Sequence, residues 1–123
     1  MAVSTISGTK IVTPTLNTAK FNPYSTNTAP TMFVRDGVVT LAGIVKPIAQ
    51  LSADDGQLIC TIPEGYRPRF GLHSIMQGSG VARWDLRIEP NGEVSLQRYS
   101  DNGSSWQTVP AGVYLPFHAT WVV

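Results

Sequence analysis

Arg83-Trp84-Asp85-Leu86-Arg87-Ile88-Glu89-Pro90-Asn91-Gly92-Glu93-Val94-Ser95-Leu96-Gln97-Arg98-Tyr99 reads as two strands joined by a tight turn. Pro90 suits position i+1 of a type I turn and Asn91 suits i+2. Gly92 takes the left-handed conformation that follows, giving a three-residue hairpin loop with a glycine bulge. This loop predicts Ile88 opposite Val94, Leu86 opposite Leu96, and Trp84 beside Arg98. The apolar partners then share one face, so the register is self-consistent. A two-residue loop would set Glu89 against Val94 and spoil it. The same register collects Arg83, Asp85 and Arg87 on the other face, opposite Tyr99, Gln97 and Ser95.

Strand signals continue on both sides of this hairpin. Upstream, Arg35-Asp36-Gly37-Val38 carries the Asp-Gly pair of a two-residue type I′ turn. A β-branched strand, Val38 to Val45, follows and ends at Pro47. Ser52-Ala53-Asp54-Asp55-Gly56 is a loop by composition. Gln57 to Ile62 and Phe70 to Met76 read as strands, separated by the turn-rich corner Pro63-Glu64-Gly65-Tyr66-Arg67-Pro68. Gln77-Gly78-Ser79-Gly80 is a turn. Downstream, Asp101-Asn102-Gly103-Ser104-Ser105 is an exposed loop and Trp106 to Val109 a short strand. In the last strand Val113, Leu115, Phe117, Ala119, Trp121 and Val123 alternate with Tyr114, Pro116, His118, Thr120 and Val122. Pro116 lacks an N–H, which leaves one side of its ladder open. About eight short strands at regular spacing predict an all-β domain, a compact antiparallel barrel or sandwich. Residues 1–30 differ, being rich in Thr, Ser and Asn with Pro14, Pro23 and Pro30 as breakers. They read as an extended N-terminal arm or connector that packs at Phe21 and Tyr24, with the β-domain over 31–123.

The 123 residues suit one domain. Only 14% are charged, against about 25% in a typical soluble domain. Thr, Ser, Asn, Gln and Gly take the place of charge, as on proteins that are secreted, assembled into particles, or read uncharged polar ligands. A net charge of +1 gives no electrostatic footprint for nucleic acid. Met1-Ala2-Val3-Ser4 lacks the basic and apolar regions of a signal peptide. No stretch approaches the length of a transmembrane helix, so no membrane insertion is expected. Cys60, the single cysteine, lies in an apolar string and reads as a small buried hydrophobe.

No catalytic set emerges. His73, His118 and Cys60 fit no zinc spacing, and no metal or cofactor is expected. Gly78-Ser79-Gly80 is not a nucleophile elbow. Asp54-Asp55 and Glu89 form a carboxylate pair only in principle, since Asp54-Asp55 reads as a solvated turn. The chain is therefore read as a binding domain and not an enzyme. The face with Arg83, Asp85, Arg87, Ser95, Gln97 and Tyr99 offers forked donors, a carboxylate, an amide, a hydroxyl and a ring. Sugars call for such a mix. An ordinary solvent-facing sheet laced with cross-strand pairs has the same pattern. Trp84 and Trp121 read as core or oligomer interface, and Trp106 as core or ligand contact. His73 reads as a satisfied histidine or a ligand contact. His118 faces either a subunit neighbour or a cleft.

The run Ile62-Pro63-Glu64-Gly65-Tyr66-Arg67-Pro68, the strand Arg83-Trp84-Asp85-Leu86-Arg87-Ile88 and the Asn91-Gly92 turn resemble the C-terminal head domains of phage receptor-binding proteins. The parallel is with baseplate proteins of siphophages that infect lactococci and related Gram-positive bacteria. Arg35-Asp36-Gly37-Val38-Val39-Thr40-Leu41 resembles the opening strands of such heads. The resemblance covers roughly residues 32–123. It implies a small β-barrel that forms a homotrimer at the tail tip of the virion and binds host cell-wall polysaccharide near subunit boundaries. The implied site joins an aromatic ring to His, Asp and Arg from neighbouring strands. Trp84, Asp85 and Arg87 stand on the matching strand. Some relatives carry the histidine there, where this chain has Asp85, so His73 on another strand is its substitute. Arg83, Gln97, Tyr99 and Trp106 complete the expected saccharide contacts. The arm would join other baseplate or tail proteins, and the three-fold axis would bury Trp121 or Val122. The alternatives are a structural baseplate or fibre domain without a ligand, and a cellular lectin-like module.

Overall fold

The structure is a computed structural model that describes residues 3–6, 8–52 and 56–123, with side chains from residue 8 onward. Among the described residues the chain is all-β and contains eleven strands. These are β1 (Val3–Ile6), β2 (Thr9–Val12), β3 (Thr15–Leu16), β4 (Phe21–Pro23), β5 (Thr31–Arg35), β6 (Val38–Pro47), β7 (Gln57–Thr61), β8 (Leu72–Gln77), β9 (Arg83–Ile88), β10 (Glu93–Ser100) and β11 (Leu115–Val122). Two antiparallel sheets form. One runs β1-β2-β5-β6-β11, with β4 also paired to β6; the other runs β3-β7-β10-β9-β8. The sheets face each other as a sandwich and do not close into a barrel, which decides between the two architectures the sequence left open.

Turn chemistry sets much of this register. Asp36 and Gly37 both take positive φ, 51° and 78°, and Arg35 pairs directly with Val38. That is the two-residue loop an Asp-Gly pair favours. Gly92 has φ 93°, and Glu89 and Gly92 close the Pro90-Asn91-Gly92 loop with backbone hydrogen bonds of 2.9 Å. Ile88 accordingly faces Val94, and Leu86 faces Leu96.

Each strand sends alternate side chains inward. Val39, Leu41, Val45, Leu115, Phe117 and Trp121 from one sheet meet Ile59, Trp84, Leu86, Ile88, Val94 and Leu96 from the other. The Trp84 and Phe117 rings cross the interface edge to face, 6.0 Å apart. Trp121 is buried in this core and donates its indole N–H to the Tyr66 carbonyl at 2.8 Å. It is therefore not available for the subunit interface expected of it, whereas Val122 is exposed.

Pairing also crosses residue 30, where the sequence marked off an arm. β2 pairs with β5, β3 with β7 and β4 with β6, and Val12 and Phe21 are fully buried core members. The expected strand at Trp106 to Val109 is reduced to two isolated bridges, Tyr99 with Gln107 and Leu51 with Val109. The loop residues Asp54 and Asp55 lie outside the described residues.

Candidate functional site

The outer face of β8, β9 and β10 gathers most of the residues singled out in the sequence. β9 lies between β8 and β10, with His73 opposite Arg87, Ile75 opposite Asp85, and Gln77 opposite Arg83. On the other side Ser95 stands opposite Arg87. Alternation sends Trp84, Leu86 and Ile88 into the core, so Arg83, Asp85 and Arg87 point outward together.

Past Leu96 the regular register ends. Trp84 pairs with Tyr99 and Arg83 with Ser100, so β10 carries one extra residue across from β9. This is a β-bulge, with two residues opposing one and a local change of side-chain direction. Its effect is to turn Tyr99 into the core, where it is buried, and to leave Arg98 exposed on the outer face. Two expected contacts are thereby corrected. Tyr99 is a core residue beside Trp84 because the bulge shifts its phase. Trp84 is fully buried because it lies on the inward phase of β9.

Asp85 is the centre of the outer face. It is 4% exposed and flanked by the half-exposed side chains of His73 and Arg98. Its Oδ2 lies 3.6 Å from His73 Nε2 and 3.6 Å from Arg98 Nε. Its Oδ1 is buried without a hydrogen-bond partner among the described residues. Leaving a buried acceptor unpaired costs on the order of 1–3 kcal/mol, and more when it is charged. His73, Ser74, Ile75 and Asp85 line a small concavity of about 180 Å³. His73 thus comes from a different strand from Asp85 and still reaches it.

Trp106 supplies the aromatic surface. The residue is 39% exposed, with the Arg83 and Arg98 guanidinium carbons 5.4 and 5.5 Å from its ring centroid. Both fall within cation–π range. Arg83 Nε is buried without a hydrogen-bond partner, and no carboxylate pairs with Arg83 among the described residues. The loop before Trp106 is organised by Asn102, whose Oδ1 accepts from the Ser104 and Ser105 backbone N–H groups. Gln107 fixes its base by accepting from the Asp101 N–H at 2.8 Å. Arg87 pairs with Glu89 at 3.7 Å, and Gln97 donates to the Ser95 hydroxyl at 2.8 Å.

The structure thus brings together Asp85, Arg83, Arg87, His73, Gln97 and Trp106. It excludes Trp84 and Tyr99, and adds Arg98, which the sequence reading set beside Trp84. A signal for Arg98 exists in the sequence. The inward residues of β9 are spaced by two (Trp84, Leu86, Ile88), but those of β10 run Val94, Leu96, Tyr99. The three-residue step marks the bulge. Comparison with known protein families, with curated proteins and with solved structures found no match.

Proposed function

We propose that the domain is a phage tail-tip receptor-binding head that attaches to host cell-surface saccharide and works as a homotrimer. The observation that carries this reading is the set on the outer face of β8-β9-β10. A buried aspartate with an unpaired oxygen lies between a histidine and an arginine, and an exposed indole stands next to them. The Asp85 carboxylate lines the concavity as an acceptor for a sugar hydroxyl, the arginine and histidine N–H groups are donors, and the Trp106 face suits the C–H side of a pyranose ring. The chain as a whole is scarcely charged, at 14% of its residues, which fits an uncharged polar polymer. Shallow sites of this kind bind weakly, with a Kd of about 1 mM corresponding to about −4 kcal/mol. Three sites on one rigid trimer, repeated around a tail tip, make later contacts intramolecular and raise avidity. The role assigned to the domain is binding, not catalysis.

The test uses purified Gram-positive cell-wall polysaccharides immobilised on a sensor surface. The wild-type domain is expected to bind at least one of them. Asp85→Asn and Trp106→Ala should each weaken that binding at least tenfold while circular dichroism and oligomeric state stay unchanged. Unchanged binding by both variants would sink the site. Light scattering should give about three times the 13.3 kDa chain mass; a monomer at micromolar concentration would refute the trimer.

A further inference from the structure

A second aromatic platform stands on the other sheet, at the same end of the sandwich. Tyr24 follows β4 and is 41% exposed. Tyr114 backs it edge-on, with centroids 5.0 Å apart and planes at 83°. The backbone holds it as well: Tyr24 N–H donates to the Ile44 carbonyl at 2.9 Å, and Ser25 N–H donates to the Thr28 hydroxyl at 2.9 Å. Lys46 lies over the same ring, with Nζ 5.8 Å from the centroid. Lys46 has no carboxylate partner among the described residues. Asn22, directly opposite Lys46 in the β4–β6 pair, adds an exposed amide. Together with Ser25 and Thr26 they line an open concavity of about 400 Å³.

This platform connects to the Trp106 surface through packed backbone. A Cβ at Gly103, in the Trp106 loop, would lie 3.4 Å from the Val81 carbonyl oxygen in the β8–β9 turn. A Cβ at Gly78, where that turn starts, would lie 3.3 Å from the carbonyl oxygen of Tyr114. Tyr114 in turn carries Tyr24. Two exposed rings, each with a cation over its face and each fixed by its own turn, therefore bracket one end of the domain.

We infer that Tyr24, Lys46 and Asn22 form a second saccharide subsite, which takes a further sugar ring of the same polymer that engages Asp85 and Trp106. The inference rests on the saccharide reading of the first face. The Tyr24 ring stacks on the apolar side of a pyranose, while Lys46 and Asn22 donate to its hydroxyls. A ring held in place before binding loses little freedom on binding, which favours a weak contact of this sort. Two subsites on one polymer act through effective concentration, so their joint loss exceeds either alone.

The experiment compares Tyr24→Ala, Lys46→Gln and Asp85→Asn on the polysaccharide that the wild-type domain binds, and on the methyl glycosides of its component sugars. NMR on the wild type should show two separate groups of shifting signals, one at Tyr24 and Lys46 and one at the Trp106 indole. Tyr24→Ala should weaken polymer binding about tenfold and leave the glycoside-induced shift at Trp106 unchanged. Tyr24→Phe keeps the ring and should keep the binding. If Tyr24→Ala does not fold, Lys46→Gln, at a partly exposed side chain outside the core, carries the same expectation of weaker polymer binding. Polymer binding unaltered by Tyr24→Ala and Lys46→Gln, with loss in Asp85→Asn, overturns the second subsite and leaves the first. Loss in Tyr24→Ala with none in Asp85→Asn removes the Asp85 reading instead, and no loss in any variant removes both.

Discussion

The two ends of the β9–β10 hairpin obey different rules. Near the turn, from Ile88 and Val94 to Leu86 and Leu96, partners follow the loop type and alternate strictly. Beyond Leu96 one extra residue enters β10, and Tyr99 instead of Arg98 meets Trp84. The near end builds core. The far end builds core and site together, because the bulge sends a tyrosine inward while it sets an arginine against Asp85. A regular ladder would have set Arg98 opposite Trp84 on the inward face, burying it and taking it away from Asp85. Bulges re-aim side chains in this way beside functional sites.

The largest expected effect separates the two registers directly. Tyr99 is buried, so Tyr99→Ala should destabilise the domain by about 3–5 kcal/mol, the range for truncating a buried aromatic. Arg98 is exposed and its pair with Asp85 is long, so Arg98→Ala should cost about 1 kcal/mol or less. Denaturant melts of the two variants make the measurement. The reverse order would mean that the regular register holds to the end of the hairpin.

Alkaline pH probes both ends at once. Cys60 pairs with Val94 at the near end, and burial pushes its thiol from 9.0 up to about 12. Burial, with the nearby Asp101 charge, also raises the Tyr99 phenol above its usual 10.0. Both groups hold their protons longer folded than unfolded. Stability from Cys60 is therefore complete below pH 9 and falls as pH rises toward 12, by about 1.4 kcal/mol for each unit. The Tyr99 contribution falls in the same direction, starting above pH 10. Cys60→Ala should flatten the decline that begins at pH 9 and leave the later one. Equal slopes in both proteins would show that the thiol is not protected by the fold.

What the sequence disclosed divides along physical lines. Asp36-Gly37 and Pro90-Asn91-Gly92 were legible because few residues accept their backbone angles, so the loops name their own geometry. β11 was legible because eight residues suffice to display a period of two. β3 and β4 hold two and three residues, too few to show any period, and what makes them strands is tertiary pairing with β7 and β6. Asp85 and Arg87 could be placed on one outer face from β9 alone. The meeting of Asp85 with His73 needed the order of strands in the sheet, and its meeting with Arg98 needed the bulge. The stacking of Trp106 on two arginines depends on a loop whose shape comes from Asn102 and Gln107.

The smallest expected effect is the sharpest check on the comparison. Deleting Gln97 removes one residue from the bulged strand. In the shortened hairpin a regular ladder places Tyr99 opposite Trp84 and Arg98 opposite Asp85, the same partners the bulge now provides. What is lost is the Gln97–Ser95 hydrogen bond and the local twist of the strand. The deletion variant should therefore fold, with stability within about 1 kcal/mol of wild type, since a part-exposed hydrogen bond is worth about that much. Hydrogen exchange at β9 and β10 should remain slow, and the indole resonance of Trp106 should move, because the strand feeding its loop is re-aimed. If the variant unfolds, the bulge supplies more than phase, and its twist is itself needed to seat β10 between β7 and β9. If the variant folds with Arg98 and Trp106 unmoved, the bulge is a tolerated insertion and the site owes nothing to it.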